Sequence, residues 1–232
     1  TQKDTVTISA SITASSDWTI NIKDSGGNIK RAYTGTGSVI NRAWNGKDES
    51  ANVVPDGVYT CAIDATDPVT NSSAAQVTIP ITVDNTMPVV TISTPLANST
   101  IAGSVQIKAL ANDANWWNHY WGYGCELYYG QGSSPITWNN LNRYVDPFLP
   151  DTEGNPPTIY TWNTNVLSNG DYVIRLKVTD KAGNITYCDN PVKLYNVSIY
   201  NLLLTPDAFF SPNADTQKDT VTISASITAS SD

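Results

Sequence analysis

The chain has 232 residues, of which 40% are hydrophobic and only 15% are charged. That balance favours a folded protein over a disordered one, because disorder requires high charge and few apolar residues. Lysine and arginine total 13 against 21 aspartate and glutamate residues, for a net charge of −8, and no basic cluster is present to bind phosphates. No apolar run approaches the ~20 residues of a membrane-spanning helix. The sequence therefore argues against nucleic-acid binding and predicts no membrane span in this segment.

Residues 1–84 alternate between apolar and polar side chains with a period of two, which is typical of β-strands. The segments DTVTISASITAS and DWTINIKD are followed by SGGN, a turn in which glycine accepts a positive φ at low cost. In DGVYTCAIDATD the alternation places Tyr59, Cys61 and Ala65 on one face, together with Ile63. In QVTIPITV, Pro80 has no N–H to donate to a neighbouring strand, so this strand is expected at a sheet edge.

Residues 85–204 show the same alternation of apolar and polar side chains, and their first residues belong to a linker predicted at Asp84–Val90. SVQIKALAND and GDYVIRLKV each carry apolar residues on one face, and the second of them begins a strand–turn–strand. Between Asn139 and Pro157, a stretch rich in Pro, Asn and Asp lacks periodicity and predicts a long inserted loop. Short strands separated by turns predict an all-β fold of two tandem antiparallel β-sandwiches.

One segment of the sequence occurs twice. Thr1–Asp17 recurs without a change as Thr216–Asp232, at a spacing of 215 residues. We interpret this spacing as the period of a longer array, so that residues 205–232 begin the next repeat of the first domain. A lone strand is not stable, and the second copy either pairs within the next repeat or exposes a strand edge. The expected inter-repeat strand includes Thr216, Asp219, Val221 and Ile223.

Motifs in both regions resemble known bacterial domains. RAWNGKDESANVVPDGVYTCAIDATD and SPNADTQKDTVTISASIT resemble the immunoglobulin-like (Ig-like) domain of the flagellar hook-capping protein, although Asn45 stands where Asp is usual. VDNTMPVVTISTP and YTWNTNVLSNGDYVIRLKVTDKAGN resemble the Ig-like repeats of large bacterial adhesins. The resemblance implies one Ig-like sandwich over 1–84, lacking the first segment of its type, and a second over 85–204 with the inserted loop. It also implies an extracellular or cell-surface location.

Resemblance and repetition together favour a structural function. The chain is expected to be a spacer, stalk or fibre module of a long secreted or cell-surface protein, with neighbouring repeats of the same protein as its partners. Those repeats are joined either in one polypeptide or by strand exchange between subunits. No enzyme is expected, because the single histidine, His119, lies in an aromatic loop and no motif brings Glu126 and Glu153 together as a catalytic pair.

An aromatic loop at residues 116–129 supports an alternative function. Carbohydrate-binding sites stack aromatic faces on sugar rings, so the loop predicts a glycan or cell-surface partner. The other interpretation is that these rings pack on the inserted loop or on an adjoining domain, because aromatic residues are also enriched at protein interfaces. The ligand or interface residues on either interpretation are Trp116, Trp117, Tyr120, Trp121 and Tyr123.

Calcium is the one cofactor that the residues suggest. Carboxylates and carbonyls near domain junctions bind interdomain calcium in repeat proteins, but the same residues also build turns and cap loops. The candidate ligands near the first predicted junction are Asp64, Asp67, Asp84, Asn85 and Asp113, and those near the second are Asp215 and Asp219.

Three cysteines complete the set of candidate residues. Cys125 and Cys188 both lie on predicted strands of the second domain, and in an oxidising exterior we expect them to form a disulfide across the sandwich. The alternative is two buried thiols. Cys61 has no partner within its own domain and is expected to be a small buried apolar residue.

Overall fold

The computed structural model describes residues 4–115, 124–142, 155–197, 199–205 and 220–227. Every regular element among them is a β-strand, which confirms the all-β prediction. The strands are β1 Val6–Lys23, β2 Ile29–Trp44, β3 Gly57–Thr66, β4 Val77–Val83, β5 Val89–Thr94, β6 Thr100–Ile101, β7 Ser104–Asn112, β8 Cys125–Gln131, β9 Asn139–Asn142, β10 Thr158–Asn163, β11 Gly170–Thr179, β12 Ile185–Leu194, β13 Ile199–Thr205 and β14 Thr222–Ile227. Within the described residues, no helix has the length and apolarity to cross a membrane.

The chain forms two compact units. The first unit consists of Thr1–Val89, Ala111–Gly124 and Lys177–Thr186. The second unit consists of Val90–Leu110, Cys125–Leu176 and Tyr187–Asp232. Residues that immediately follow β7 and β11 therefore belong to the same unit as the first 89 residues, although they lie far from them in sequence.

A four-stranded sheet with the order β2-β1-β3-β4 forms the first unit. The two segments that alternate in sequence before Asp24 are one long strand, β1, with an irregularity between Ser11 and Ser16 where it pairs with β2. The SGGN turn joins β1 to β2, as predicted. β4 contains Pro80 and lies at the sheet edge, also as predicted.

The core of the first unit lies on the alternating face of β1, β2 and β3. Its buried members are Ile8, Trp18, Ile20, Ile22, Ile40, Trp44, Val54, Tyr59, Cys61 and Ala65. Gly35 lies directly opposite Trp18 in the β1–β2 register. A Cβ atom at position 35 would lie 2.3 Å from the indole ring, so only glycine leaves room for this tryptophan. The glycine at position 35 is therefore explained by the close packing of the Trp18 ring in the core.

The strands from β5 to β12 form two further sheets, with orders β10-β7-β5 and β6-β12-β11-β8-β9. Each contributes an apolar face, as the alternation predicts. The buried residues include Val105, Ile107 and Ala109 of β7, Leu127 of β8, Ile174 and Leu176 of β11, and Val192 and Leu194 of β12. Two layers of sheet with apolar inner faces are the construction of a β-sandwich.

The structure differs from the sequence prediction at the inserted loop. The stretch from Asn139 to Pro157 was expected to be irregular, but its first four residues form β9, which pairs with β8. The sequence of β9, NNLN, has no apolar alternation because none of its side chains is buried. A strand at a sheet edge whose side chains are not buried leaves no hydrophobic pattern to detect.

Candidate metal centre

Three aspartates in the first unit converge on one point. Asp84, Asp113 and Asp180 each place a carboxylate oxygen so that the three oxygens lie within 4.8 Å of one another. Each aspartate is the first residue after a strand: β4, β7 and β11 respectively. The ends of three strands that are remote in sequence therefore form one acidic triad.

Asp180 is held in place by the loop that it begins. Its Oδ1 accepts hydrogen bonds from the backbone N–H groups of Gly183 at 2.7 Å and Asn184 at 2.8 Å, and its Oδ2 accepts one from the Asn184 side-chain amide at 2.7 Å. The Asp180 side chain has no solvent exposure. A buried carboxylate must be paired or hydrogen-bonded, and this loop supplies the donors.

Asn184 and Thr186 fix the segment that the sequence predicts as a linker. The Asn184 amide lies 3.1 Å from the carbonyl oxygens of both Asp84 and Thr86, and can donate to each of them. The Thr186 hydroxyl donates to the Pro88 carbonyl oxygen at 2.7 Å. Residues 84–88 are thus attached to the loop that carries Asp180.

Asp56 holds the same segment from its other side. Its Oδ1 accepts hydrogen bonds from the backbone N–H and the side-chain amide of Asn85, both at 2.7 Å, and its Oδ2 accepts one from the Thr86 hydroxyl. Burial alone would raise the pKa of Asp56, but the hydrogen bonds from Thr86 and Asn85 outweigh burial and leave its pKa lowered. Asp56 is therefore a fixed negative charge beside the triad.

The triad concentrates negative charge. Burial raises the pKa of Asp113, and the charges of Asp84, Asp180 and Asp56 raise it further, while a hydrogen bond from the Asn115 N–H opposes the rise. The Oδ2 atom of Asp84 is buried and has no hydrogen-bond partner. Ca²⁺ takes oxygen ligands at about 2.3–2.6 Å, so oxygens sharing one ion lie within about 5 Å of one another. The spacing and the donor type of the triad fit such a cation.

Of the residues predicted as calcium ligands, the structure brings together Asp84 and Asp113. Asp64 instead accepts hydrogen bonds from the Gln76 amide, and Asp67 caps a turn by accepting from the N–H groups of Val69 and Thr70. Asn85 binds Asp56, as described above. Asp215 and Asp219 lie outside the described residues, as does Thr216 of the predicted inter-repeat strand.

Sequence reasoning missed Asp180, which lies 96 positions after Asp84 and belongs to the predicted second domain. The only signal was DKAGN, part of the adhesin-like motif. In that pentapeptide the Asp and Asn exchange the hydrogen bonds that close the loop. Nothing in the local sequence distinguishes a loop that only closes on itself from one that also reaches a second acidic residue.

The predicted Cys125–Cys188 disulfide is not formed in the structure. Cys125 lies on β8 and Cys188 on β12, and both strands flank β11 in one sheet rather than facing each other across the sandwich. Strands two positions apart in a sheet are separated by about 9.6 Å, beyond the limit of about 7 Å between bridged Cα atoms. Cys61 is buried as expected, and burial raises the pKa of its thiol.

The aromatic loop lies mostly outside the described residues, which omit Trp116, Trp117, Tyr120, Trp121 and Tyr123. The described end of the loop belongs to β8. Tyr129 packs on Trp162 with ring centroids 5.1 Å apart, and Leu127 is fully buried. This end of the loop is therefore part of the core of the second unit.

Comparison with known proteins identifies two Ig-like domain types. Residues 1–69 match the FlgD Ig-like domain, and residues 48–114 match the bacterial Ig-like domain (group 3). Both resemblances seen in the sequence are thereby confirmed. Neither is a catalytic family, and bacterial Ig-like domains are typical of surface and secreted proteins.

Several solved structures are similar to the chain. FLGD from P. aeruginosa is 25% identical and matches 39% of this chain and 68% of its own, with a TM-score of 0.29. A tetra-tandem repeat from the extending region of a large adhesion protein is 17% identical and matches 97% of this chain and 60% of its own, with a TM-score of 0.36. The fibronectin(III)-like modules of Clostridium thermocellum CbhA are 14% identical and match 84% of this chain and 86% of their own, with a TM-score of 0.37. No curated protein matches the chain.

Proposed function

We propose that the chain is a structural repeat unit that acts as a spacer or stalk in a long secreted or cell-surface protein. The observation that carries the proposal is the unchanged recurrence of Thr1–Asp17 as Thr216–Asp232. A second copy that begins another module supplies no new chemistry, but it extends the protein by one more period. The two Ig-like domain types matched by the chain suit this function, because each domain folds locally and can be repeated.

The segment 84–88, which the sequence predicts as a linker, is instead an ordered part of the first unit. It is held there by Asp56, Asn184 and Thr186, so the first unit is a firmly built module. Calcium bound by the acidic triad would strengthen the attachment, because one of its ligands, Asp84, is the first residue of the segment. The cation would also neutralise the repulsion that raises the pKa of Asp113.

The size and location of the intact source protein test the proposal. We expect antibodies against this chain to label the surface of intact cells or an extracellular filament, and to detect a protein many periods long. A source protein that holds a single pair of these units, or one found only inside the cell, would contradict the spacer function.

A calcium titration tests the triad separately. We expect millimolar Ca²⁺ to raise the melting temperature of the wild-type chain and EDTA to reverse the rise. Asp113→Asn should abolish this response, because it removes a triad carboxylate. Asp64→Asn is the matched control: Asp64 bonds Gln76 away from the triad, so this variant should respond like the wild type. An equal response in both variants would show that calcium binds elsewhere.

The glycan-binding alternative stays a prediction, since its residues lie outside the described part of the chain. Binding to a glycan array that is lost on Trp117→Ala would support it. The glycan-array result does not depend on the size of the source protein, so each of the two proposed functions can be contradicted without the other.

A further inference from the structure

Four triplets of the form Asn-X-Ser/Thr, the acceptor pattern for N-linked sugars, occur in the chain. They begin at Asn71, Asn98, Asn184 and Asn196. The pattern is short and arises by chance in a sequence rich in Asn, Ser and Thr, so the triplet alone does not identify an acceptor. The environment of each asparagine does, because an enzyme must reach the side-chain amide nitrogen to attach a sugar to it.

Asn184 and Asn196 are closed to such an enzyme. They are 3% and 7% exposed. The Asn184 amide nitrogen donates to Oδ2 of Asp180 at 2.7 Å, and the Asn196 amide nitrogen donates to the carbonyl oxygen of Thr164 at 2.6 Å. The hydroxyl of Thr186, the third residue of the Asn184 triplet, donates to a backbone carbonyl oxygen. A sugar on either nitrogen would break these bonds and would have no space in a closely packed interior, so these two asparagines are structural.

Asn71 and Asn98 have the opposite environment. Both are exposed, and neither side-chain amide makes a hydrogen bond to the residues that the structure describes. Both lie in turns, with φ of 55° and 62°. Their backbone N–H groups donate to the carbonyl oxygens of Asp67 and Pro191 respectively. Each turn therefore holds the backbone of its asparagine and leaves the amide accessible.

The turns explain the asparagines but not the residues that follow them. Asparagine adopts a positive φ more readily than most residues, which accounts for its presence at both positions. Such a turn does not require a hydroxyl two residues later, yet Ser73 and Thr100 each supply one, and both are exposed. The Thr100 hydroxyl makes no hydrogen bond within the described part of the chain, and the Ser73 hydroxyl shares one with Thr66 at 3.0 Å. The amide and the hydroxyl of each triplet are thus accessible together.

We propose that Asn71 and Asn98 are acceptor sites for N-linked sugars, one on each compact unit. In the reaction, the asparagine Nδ2 forms a bond to the anomeric carbon of a sugar-phosphate donor. The bond from that carbon to the phosphate oxygen breaks, the phosphate leaves with the electron pair, and Nδ2 loses one proton. A separate glycosyltransferase catalyses the transfer. The inference rests on the proposed secreted or cell-surface function, because the triplet marks surface loops of secreted proteins.

Peptide mapping of the protein isolated from its source cells tests the proposal. We expect mass spectrometry to find a sugar on the peptides that contain Asn71 and Asn98, with fragmentation placing it on these residues. The peptides of Asn184 and Asn196 should be unmodified. Absence of sugar from Asn71 or Asn98 would overturn the assignment of that site, and a sugar on either buried asparagine would overturn the argument from accessibility.

Accessibility is tested separately with the purified full chain, UDP-glucose and a soluble asparagine-directed glycosyltransferase. The folded chain should gain glucose at Asn71 and Asn98 alone. A tryptic digest should gain it at all four sites, because no Lys or Arg lies inside a triplet and digestion exposes the two buried asparagines. Equal labelling of all four sites in the folded chain, or labelling of Asn71 and Asn98 only after digestion, would overturn the inference.

Variants of the triplets test whether the pattern is what the enzyme reads. Ser73→Ala should abolish transfer to Asn71, and Thr100→Ala should abolish transfer to Asn98. Ser72→Ala is the matched control, because it changes an exposed serine of the same triplet and keeps the acceptor pattern. An equal loss with Ser72→Ala would contradict recognition of the triplet, and circular dichroism checks that each variant is folded.

These results are separate from the test of the spacer function. A surface protein many periods long that carries no sugar on Asn71 and Asn98 would overturn only this inference. The size and the location of the source protein decide the spacer function independently.

Discussion

Both units contain a buried tryptophan that packs against a buried tyrosine, but the tryptophan has different neighbours in each unit. In the first unit, Trp44 and Tyr59 pack edge to face with centroids 5.7 Å apart, and the Tyr59 hydroxyl donates to the Pro55 carbonyl oxygen at 2.8 Å. In the second unit, Trp162 and Tyr172 pack edge to face at 6.2 Å, and the Tyr172 hydroxyl donates four residues back, to the Ser168 carbonyl oxygen, at 2.9 Å.

The support around each pair shows the difference. The Trp44 indole donates to the Lys47 carbonyl oxygen at 2.9 Å, so its orientation is set by a hydrogen bond. Trp162 is instead packed by a third ring, Tyr129, at 5.1 Å. The hydrogen bond from the tyrosine hydroxyl to the backbone is therefore common to both units, whereas the tryptophan is held by a carbonyl oxygen after β2 in the first unit and by a ring of β8 in the second.

Truncating either tryptophan is the strongest test of this comparison. Trp44→Ala and Trp162→Ala should each cost about 3–5 kcal/mol, because each removes a side chain that is at least 98% buried. Urea unfolding followed by circular dichroism should show the loss in the transition of the unit that carries the change. Trp138→Ala is the control, since Trp138 is only half-buried and stacks on Arg175. A loss as large for Trp138 would show that burial is not the cause.

Replacing the glycine that lies two residues before each tyrosine should cause the next largest loss of stability. Gly57 has φ of 152° and Gly170 has φ of 145°, and a Cβ at either position would meet no heavy atom within 4 Å. Substitution by alanine therefore costs backbone strain alone, about 1–3 kcal/mol. Val58→Ala, at an exposed neighbouring site, should be nearly neutral. If Gly57→Ala were equally neutral in urea unfolding, the start of β3 would not require a glycine.

Removing only the tyrosine hydroxyl groups should reduce the free energy of unfolding by less. Tyr59→Phe and Tyr172→Phe should each lose about 1 kcal/mol in the same assay, because each leaves a carbonyl oxygen without its donor. Tyr33→Phe serves as the control, since the Tyr33 hydroxyl makes a longer, exposed bond of 3.3 Å to Ala43. Unequal losses at Tyr59 and Tyr172 would contradict the view that the two hydroxyl bonds are equivalent.

Burial raises the pKa of both tyrosines above 10.0. A raised folded pKa contributes stability that is complete below the ordinary value and is lost as the pH rises through the folded value. The stability advantage of each wild-type tyrosine over its Phe variant should therefore shrink as the pH rises above the ordinary tyrosine pKa, because the Phe variant has no hydroxyl to ionise. An unfolding series that extends above pH 10 checks the direction.

The smallest expected change in stability is confined to the first unit and depends on pH. Asp24 accepts hydrogen bonds from Asn28 and pairs with Lys30, which lowers its pKa from 3.8 to about 2. Its contribution is present above the ordinary value and is lost as the pH falls through about 2. Asp24→Asn should therefore weaken the first unit slightly at neutral pH, with the deficit vanishing in acid, while the second unit is unchanged. Carboxyl NMR titration should place the Asp24 pKa near 2, and an ordinary value would refute the assignment.

Much of the core could be predicted because one physical rule governs it. Alternation with a period of two identified the buried faces of β3 and β11, including Cys61 and Leu176, since successive side chains on a strand point to opposite faces. Pro80 marked the edge strand because a missing N–H is a local property. β9 could not be predicted, since its side chains are not buried and leave no pattern.

The sequence by itself determined most of the strands and their inward faces, which are local properties, and it also showed the two Ig-like resemblances and the repetition. Only the tertiary structure decided which remote residues meet. It joined Asp180 to Asp84 and Asp113, and it placed Cys125 and Cys188 on either side of β11. The physical reason is that backbone preference acts between neighbours in sequence, whereas coordination, cross-linking and burial depend on distances in space that sheet order alone establishes.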